Sequence, residues 1–281
     1  MKKSVKYLIG TLVVIIIVVA GYFSFGGAGK KQSKTLTVGL VAPTNKDTQI
    51  WNTVKKQAKE KYNLTVKTKE FTDWNQPNKS VANGEIDVNS FQTQDFLNQY
   101  NKANSNKLTS VGQTVITPLR LYSKKVTKVS EIKNGATITI SNDAANEARG
   151  LKLLQSAGLV KLAPGKSLAT VKDITSNPKN LKIKEVDGSQ TARSLPSVDA
   201  AVINGGFASS GKINLKYTLF KEKLDKNAKP YINVLAVAKN NKNKQAYRDL
   251  AKAYQTSAVK KQIQKEFGPL ILPAWTLKIA D

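Results

Sequence analysis

The chain has 281 residues, 40% of them hydrophobic, and 45 lysines and arginines against 19 acidic residues, a net charge of +26. It contains no cysteine and no histidine, which excludes disulfides, thiolate nucleophiles, a Ser-His-Asp triad and most zinc sites; neither a metal nor a cofactor is expected, and an enzyme is disfavoured. The lysine surplus would suit nucleic acid, but no arginine-rich run, aromatic ladder or recognition motif accompanies it, so a solvated surface drawn to anionic envelopes is expected instead.

Residues 7–25, YLIGTLVVIIIVVAGYFSF, form an uncharged run of 19 residues. At about 1.5 Å rise per residue this run spans about 28 Å, close to the hydrocarbon thickness of a bilayer. Lys2, Lys3 and Lys6 precede it, which places the N-terminus in the cytoplasm and the rest outside. The apolar core is long for a cleaved signal peptide, and Gly26-Gly27-Ala28-Gly29 is a weak cleavage site, so an uncleaved single-pass anchor is favoured. Residues 1–34 are thus read as anchor and stalk, with the remainder on the extracytoplasmic face of the cell membrane.

From Thr35 the pattern changes to α/β. Strands are expected at 35–41, 64–71 and 86–89, with helices at 47–62, 79–83 and 91–101. Two extended runs within 109–122 are divided by Pro118. A strand at 136–140 precedes a helix at 146–157, which Gly158 would cap. A helix is expected at 171–174, a strand at 181–186, a short helix at 192–195 and strands at 200–203 and 231–238. Two basic amphipathic helices fill 244–267. Strands alternating with helices predict parallel sheets covered on both faces. Two such blocks, with extended runs at 115–123 and 231–238, suggest two lobes joined by crossing segments. Ligands in open α/β sheets sit beyond the carboxyl ends of the strands, which in facing lobes would be an interlobe cleft.

Five stretches carry more specific information: VGLVAP at 38–43, FTDWNQPNKSVANGEIDVNSFQTQDF at 71–96, ISNDAANEARGLKLL at 140–154, NPKNLKIKEVDGSQTARSLPSVDAAVINGGF at 177–207 and PYINVLAV at 230–237. Together, in this order over about 35–275, they resemble the NlpA lipoprotein family, the methionine-binding proteins of ABC importers. The resemblance implies a two-lobed type II periplasmic-binding-protein fold, one lobe from 35–117 plus 237–281 and the other from 118–236. It further implies hinge closure over a free amino acid, with methionine (L or D) as first ligand, and delivery to a membrane permease and its ATPase. Family members are normally held by a lipid on a cysteine; here the apolar N-terminal helix would replace it.

The resemblance also proposes binding residues. Arg149 falls on the family's cleft arginine, and its planar fork suits a ligand carboxylate; the competing reading is an ion pair with a neighbour such as Glu147. Asn146 lies three residues earlier on the same helix face. Asn204 and Asn233 match ligand-contacting asparagines, and an amide in an apolar strand must satisfy both its donors and its acceptor. For Asn204 the alternative is a turn beside Gly205-Gly206. Trp74, Phe91 and Phe96 would wall the side-chain pocket, where aromatic faces suit a thioether; ordinary core packing is the alternative. Thr93 stands where the methionine binders carry histidine, and Trp74 and Phe96 where they usually carry tyrosine. Fewer hydroxyls, and a floor widened by two glycines, would admit a larger amino acid or a short peptide. The remaining class is a surface adhesin that holds anionic polymers on its lysine-rich face.

Overall fold

In the computed structural model, which describes residues 34–105 and 107–277, the chain is built around two mixed β-sheets. The anchor expected at 7–25 lies outside the described residues, and among those described no helix is long and apolar enough to cross a membrane.

Strand β1 (Lys34–Val41) pairs in parallel with β2 (Leu64–Phe71) and β3 (Val88–Asn89). Helix α1 (Asn45–Tyr62) connects β1 to β2. It starts at a capping box, in which Asp47 Oδ2 accepts from the Thr44 amide at 2.8 Å, and it stops where Asn63 turns left-handed at φ 49°. Its buried face, Ile50, Trp51, Val54 and Ala58, recurs at helical spacing. Helices α2 (Gln76–Ala82) and α3 (Gln94–Ala103) follow, and then β4 (Leu108–Ile116). The chain next crosses through Pro118 to β5 (Arg120–Tyr122), which belongs to the second sheet.

The second sheet adds β6 (Thr137–Ser141), β9 (Lys182–Val186), β10 (Ala200–Ile203) and β11 (Thr218–Lys221). Helix α4 (Ala144–Ser156) follows β6, α5 (Gly188–Ser194) follows β9, and α6 (Gly205–Ser210) follows β10. A two-stranded ribbon, β7 (Lys161–Leu162) with β8 (Ile174–Ser176), lies between. After β11 the chain returns to the first sheet as β12 (Ile232–Ala238), then α7 (Gln245–Tyr254), α8 (Ser257–Phe267) and β13 (Leu272–Pro273). The sheet orders are β13-β4-β12-β3-β1-β2 and β11-β5-β10-β6-β9.

Each sheet has its own core. Val38, Leu40, Val54, Leu235, Val237, Leu250 and Ile263 are buried on the first. Leu121, Ile138, Ile140, Leu151, Leu154 and Val202 are buried on the second. At roughly 1.5–3 kcal/mol per buried aliphatic side chain, each cluster is an independent source of stability.

Three expectations are corrected. The sheets are not all-parallel: β12 runs antiparallel to β3 and β4, and β5 antiparallel to β10 and β11. These are the strands that arrive from the other sheet, so their direction is set by the crossing rather than by a βαβ unit. The helix expected at 171–174 is a single 3-10 turn at Val171–Asp173 that leads into β8. The helix expected from Phe91 begins at Gln94, because Thr93 caps it.

Candidate functional site

A cavity of about 170 Å³ lies where the ends of the two sheets face each other, roughly ten times the space one water needs. All eight residues singled out from the sequence line it: Trp74, Phe91, Thr93, Phe96, Asn146, Arg149, Asn204 and Asn233.

On the six-stranded side, a buried amide trio holds the loop that carries Phe91 and Thr93. Asn78 Nδ2 donates to Gln92 Oε1 at 2.9 Å, Asn89 Nδ2 donates to Asn78 Oδ1 at 2.8 Å, and Gln92 Nε2 donates to Asn89 Oδ1 at 2.7 Å. None of the three is more than 2% exposed. An unpaired amide at that depth would cost about 1–3 kcal/mol, so the trio pins the loop in one conformation. Thr93 caps α3, its hydroxyl oxygen accepting the Phe96 amide at 3.1 Å. It also forms a backbone bridge with Asn233 of β12. The Asn233 side chain is half-buried in the cavity wall and has no hydrogen-bond partner among the described residues.

The aromatic wall contains the three rings expected and a fourth. Trp74 meets Phe207 at 4.8 Å and Phe96 at 5.9 Å between ring centroids, and Phe96 meets Phe91 at 5.8 Å. Trp74, which follows β2, belongs to the same apolar cluster as Tyr122, Ile203 and Phe207 of the second sheet's layer. A Cβ on Gly188, the first residue of α5, would sit 1.8 Å from the indole Cη2 of Trp74, so only glycine fits there. Gly205 does the same for Thr117, whose Cγ2 lies 1.9 Å from the position of an added Cβ. The expected widening of the floor is therefore absent at Gly205: Thr117 fills the space.

On the five-stranded side, Asp143 caps α4 by accepting the Asn146 amide at 3.0 Å, and burial raises its carboxyl above the usual range. The same carboxylate accepts from Asn146 Nδ2 at 3.0 and 3.1 Å. A carboxylate only accepts, so the Asn146 amide is forced to turn its oxygen outward. Asn204 Nδ2 donates to that oxygen at 2.7 Å, so its own Oδ1 is the end left for the cavity. Asn204 occupies the N-cap position of α6, but its side chain makes no cap bond; it belongs to the relay and not to a turn.

Arg149 is 4% exposed and does form an ion pair, but its partner is Glu222 rather than Glu147. Nε donates to Glu222 Oε1 at 2.9 Å, and Nη2 to Glu222 Oε2 at 2.5 Å and to the Thr117 carbonyl at 3.0 Å. The Tyr231 ring covers the guanidinium at 4.2 Å. Nη1 has no partner among the described residues. Glu147 turns away and accepts the Val171 amide at 3.0 Å. Gln92, Phe207, Thr114 and Thr117 also line the cavity and were not anticipated as site residues. Gln92 and Phe207 lie inside the motif stretches, so their motif membership was the available signal. No signal marked Glu222, which sits among the lysines of KEKLDK.

The wall thus offers a two-hydrogen guanidinium corner, an amide oxygen, an unpartnered amide and an aromatic face. That set suits a small molecule bearing a carboxylate, an amine and an apolar or thioether chain. Among the described residues no group of three His, Cys, Asp or Glu side chains could hold a metal ion.

A family profile described as NlpA lipoprotein matches residues 36–275. The chain is 38% identical over 245 residues to a probable D-methionine-binding lipoprotein MetQ of Pasteurella multocida, covering 86% of this chain and 87% of the relative. It is 40% identical over 230 residues to the protein of the same name in Haemophilus influenzae, covering 81% and 83%. Among solved structures, it resembles the substrate-binding protein of a methionine transporter from Streptococcus pneumoniae, with TM-score 0.81, 43% identity and coverage of 86% and 96%. A nutrient-binding protein from Burkholderia cenocepacia, solved bound to methionine, gives 0.81, 40% and coverage of 85% and 99%.

Proposed function

This chain belongs to the NlpA lipoprotein family, and on that premise we propose that it is the extracytoplasmic solute-binding component of an ABC importer. The ligand is a free amino acid, with methionine first. The body divides into lobes at 35–117 plus 237–281 and at 118–236, which close on the ligand by bending at the two crossing segments. Residues 7–25 hold the body at the membrane beside a permease and its ATPase, which raises its effective concentration there.

The observation that carries this reading is that Arg149, Asn204 and Asn233 each bring to one aromatic-walled cavity of about 170 Å³ a hydrogen-bonding end that has no partner among the described residues. The Arg149 Nη1 corner takes the ligand carboxylate. Asn204 Oδ1 and the Asn233 amide take the ammonium, and Trp74, Phe91, Phe96 and Phe207 surround the side chain. The hydroxyl oxygen of Thr93 is engaged in capping α3, which leaves recognition of the thioether to the rings.

A thermal-shift screen of the full chain in mild detergent, against the free amino acids in both stereochemical forms, tests this. At 100 times its Kd a ligand adds about 2.7 kcal/mol, which raises Tm by about 5–11 °C for a body of this size. A response to methionine supports the reading. A flat profile across all amino acids sinks it.

A further inference from the structure

Glu222 is the one carboxylate bonded to the guanidinium that faces the cavity, yet it lies behind that guanidinium, at the edge of the five-stranded sheet just after β11. Its backbone amide donates to the Leu119 carbonyl at 2.9 Å, and its Oε2 accepts the Leu119 amide at 3.0 Å. Both carboxylate oxygens are bonded to Arg149, and the Glu222 side chain is 15% exposed. An ion pair this enclosed needs its remaining hydrogen-bonding capacity met; here the strand edge and the crossing segment meet it. Its consequence at the cavity is twofold. The guanidinium cannot rotate, because two edges are bonded and Tyr231 covers a face. Its positive charge is also already matched before any ligand arrives.

We infer that Glu222 is a positioning residue that makes the site demand an amino group on its ligand. The inference rests on the reading above, in which the ligand carboxylate meets Arg149. Apart from Arg149, the charged residue lining the cavity is Asp47, whose Oδ2 accepts from the Thr44 amide at 2.8 Å and hydroxyl at 2.6 Å. A bound carboxylate therefore shares one guanidinium with Glu222, so at the Arg149 corner two negative charges meet one positive, and Asp47 adds no positive charge to offset them. A ligand ammonium restores neutrality; a ligand without it leaves a net negative charge out of water, which is costly. With a lone arginine there, a simple carboxylic acid would suffice. Glu222 converts a carboxylate site into a zwitterion site.

The test compares methionine with 4-(methylsulfanyl)butanoate, the same molecule without its amino group, by calorimetric titration of the full chain and of Glu222→Gln. The amide keeps an acceptor for Arg149 but removes the charge. Wild type is expected to prefer methionine by at least about 100-fold, the discrimination expected of an unpaired buried charge. In Glu222→Gln the preference is expected to fall at least about tenfold, with the des-amino acid gaining relative to methionine. Loss of affinity for both compounds in equal proportion would make Glu222 merely structural and overturn the inference. If Glu222→Gln does not fold, Glu222→Asp decides: it keeps the charge and spoils the reach, so both affinities should fall and the preference should stay. A collapsed preference in that variant overturns the inference. Failure of the wild-type chain to bind methionine at all would instead refute the proposed function, and so the two failures are distinct.

Discussion

At the scale of single residues, the polar wall separates groups that are spent on the protein from groups that are free. Asn146 is spent: its amide is divided between Asp143 and Asn204. Asn233 is free among the described residues. Its replacement by alanine should therefore leave the melting temperature of the unliganded chain unchanged within about 0.5 kcal/mol, while weakening methionine binding about 5–15-fold. Titration calorimetry beside a thermal melt checks both halves, and a loss of stability without a loss of affinity would make Asn233 a structural amide. The eight anticipated residues were legible because they fall on positions that the family resemblance marks, with local patterns such as an amide inside an apolar strand adding support. Glu222 was not legible. It lies 73 positions from Arg149, and a glutamate among lysines reads as part of a solvated run.

At the scale of elements, capping and close approach decide where each side chain arrives. Thr93 delays the start of α3 by three residues relative to the periodicity, and in doing so turns its own backbone toward Asn233. The shift in α2 is the opposite: with Pro77 in its first turn the helix starts at Gln76, three residues before the expected Lys79. Gly188 opens α5 where Trp74 packs. Trp74 is buried in a packed cluster, so the overlap in Gly188→Ala should lower the melting temperature of the unliganded chain, at a cost of about 1–3 kcal/mol. The added methyl must displace the indole from its contact, so affinity for methionine should fall at least about tenfold, or 1.4 kcal/mol. Melting and titration check both losses, and a variant as stable and as tight-binding as wild type would remove the close-approach argument.

Helix α4 holds a second element-scale test. Glu147 is buried; desolvation, reinforced by the nearby carboxylate of Glu185, raises its pKa above the ordinary value. A raised carboxyl pKa means that the folded chain retains its proton to higher pH than the unfolded chain. The associated stability is present in acid and is lost as pH rises through the folded-state value. Glu147→Gln stays neutral and can still accept the Val171 amide. It should melt with wild type in acid and above it near neutral pH. Curves that stay parallel across that range would remove the burial argument.

At the scale of the whole molecule, the alternation of strands and helices, the two crossings and the separate cores were readable from hydrophobic period and from Pro118. The mixed direction of the sheets was not, because periodicity reports which face is buried and not which way a returning strand runs. The charge surplus also gains a structural reading. The outer strands β2 and β9 carry exposed lysines in alternation, Lys67 and Lys69 on one, Lys182 and Lys184 on the other. Charge at an open edge discourages a second sheet from adding there. The same surplus predicts adsorption to anionic vesicles that weakens steeply between about 0.05 and 0.5 M salt. Asn233→Ala should not change it. Adsorption indifferent to salt, measured by co-sedimentation, would count against an electrostatic origin.

The chain has three tryptophans, and they divide unevenly. Trp51 and Trp275 both flank Tyr254, at centroid distances of 5.6 Å, Trp51 buried in the core of the first sheet and Trp275 partly buried against it. Trp74 alone leans across to the second sheet's layer, against Gly188 and Phe207. Trp51 and Trp74 both line the cavity, but opening of the cleft would pull protein away from Trp74 while Trp51 and Trp275 keep their contact with Tyr254. The molecule carries its own optical gauge: a red shift of emission in the open form, reversed as ligand closes it, that should be lost in Trp74→Phe and kept in Trp275→Phe.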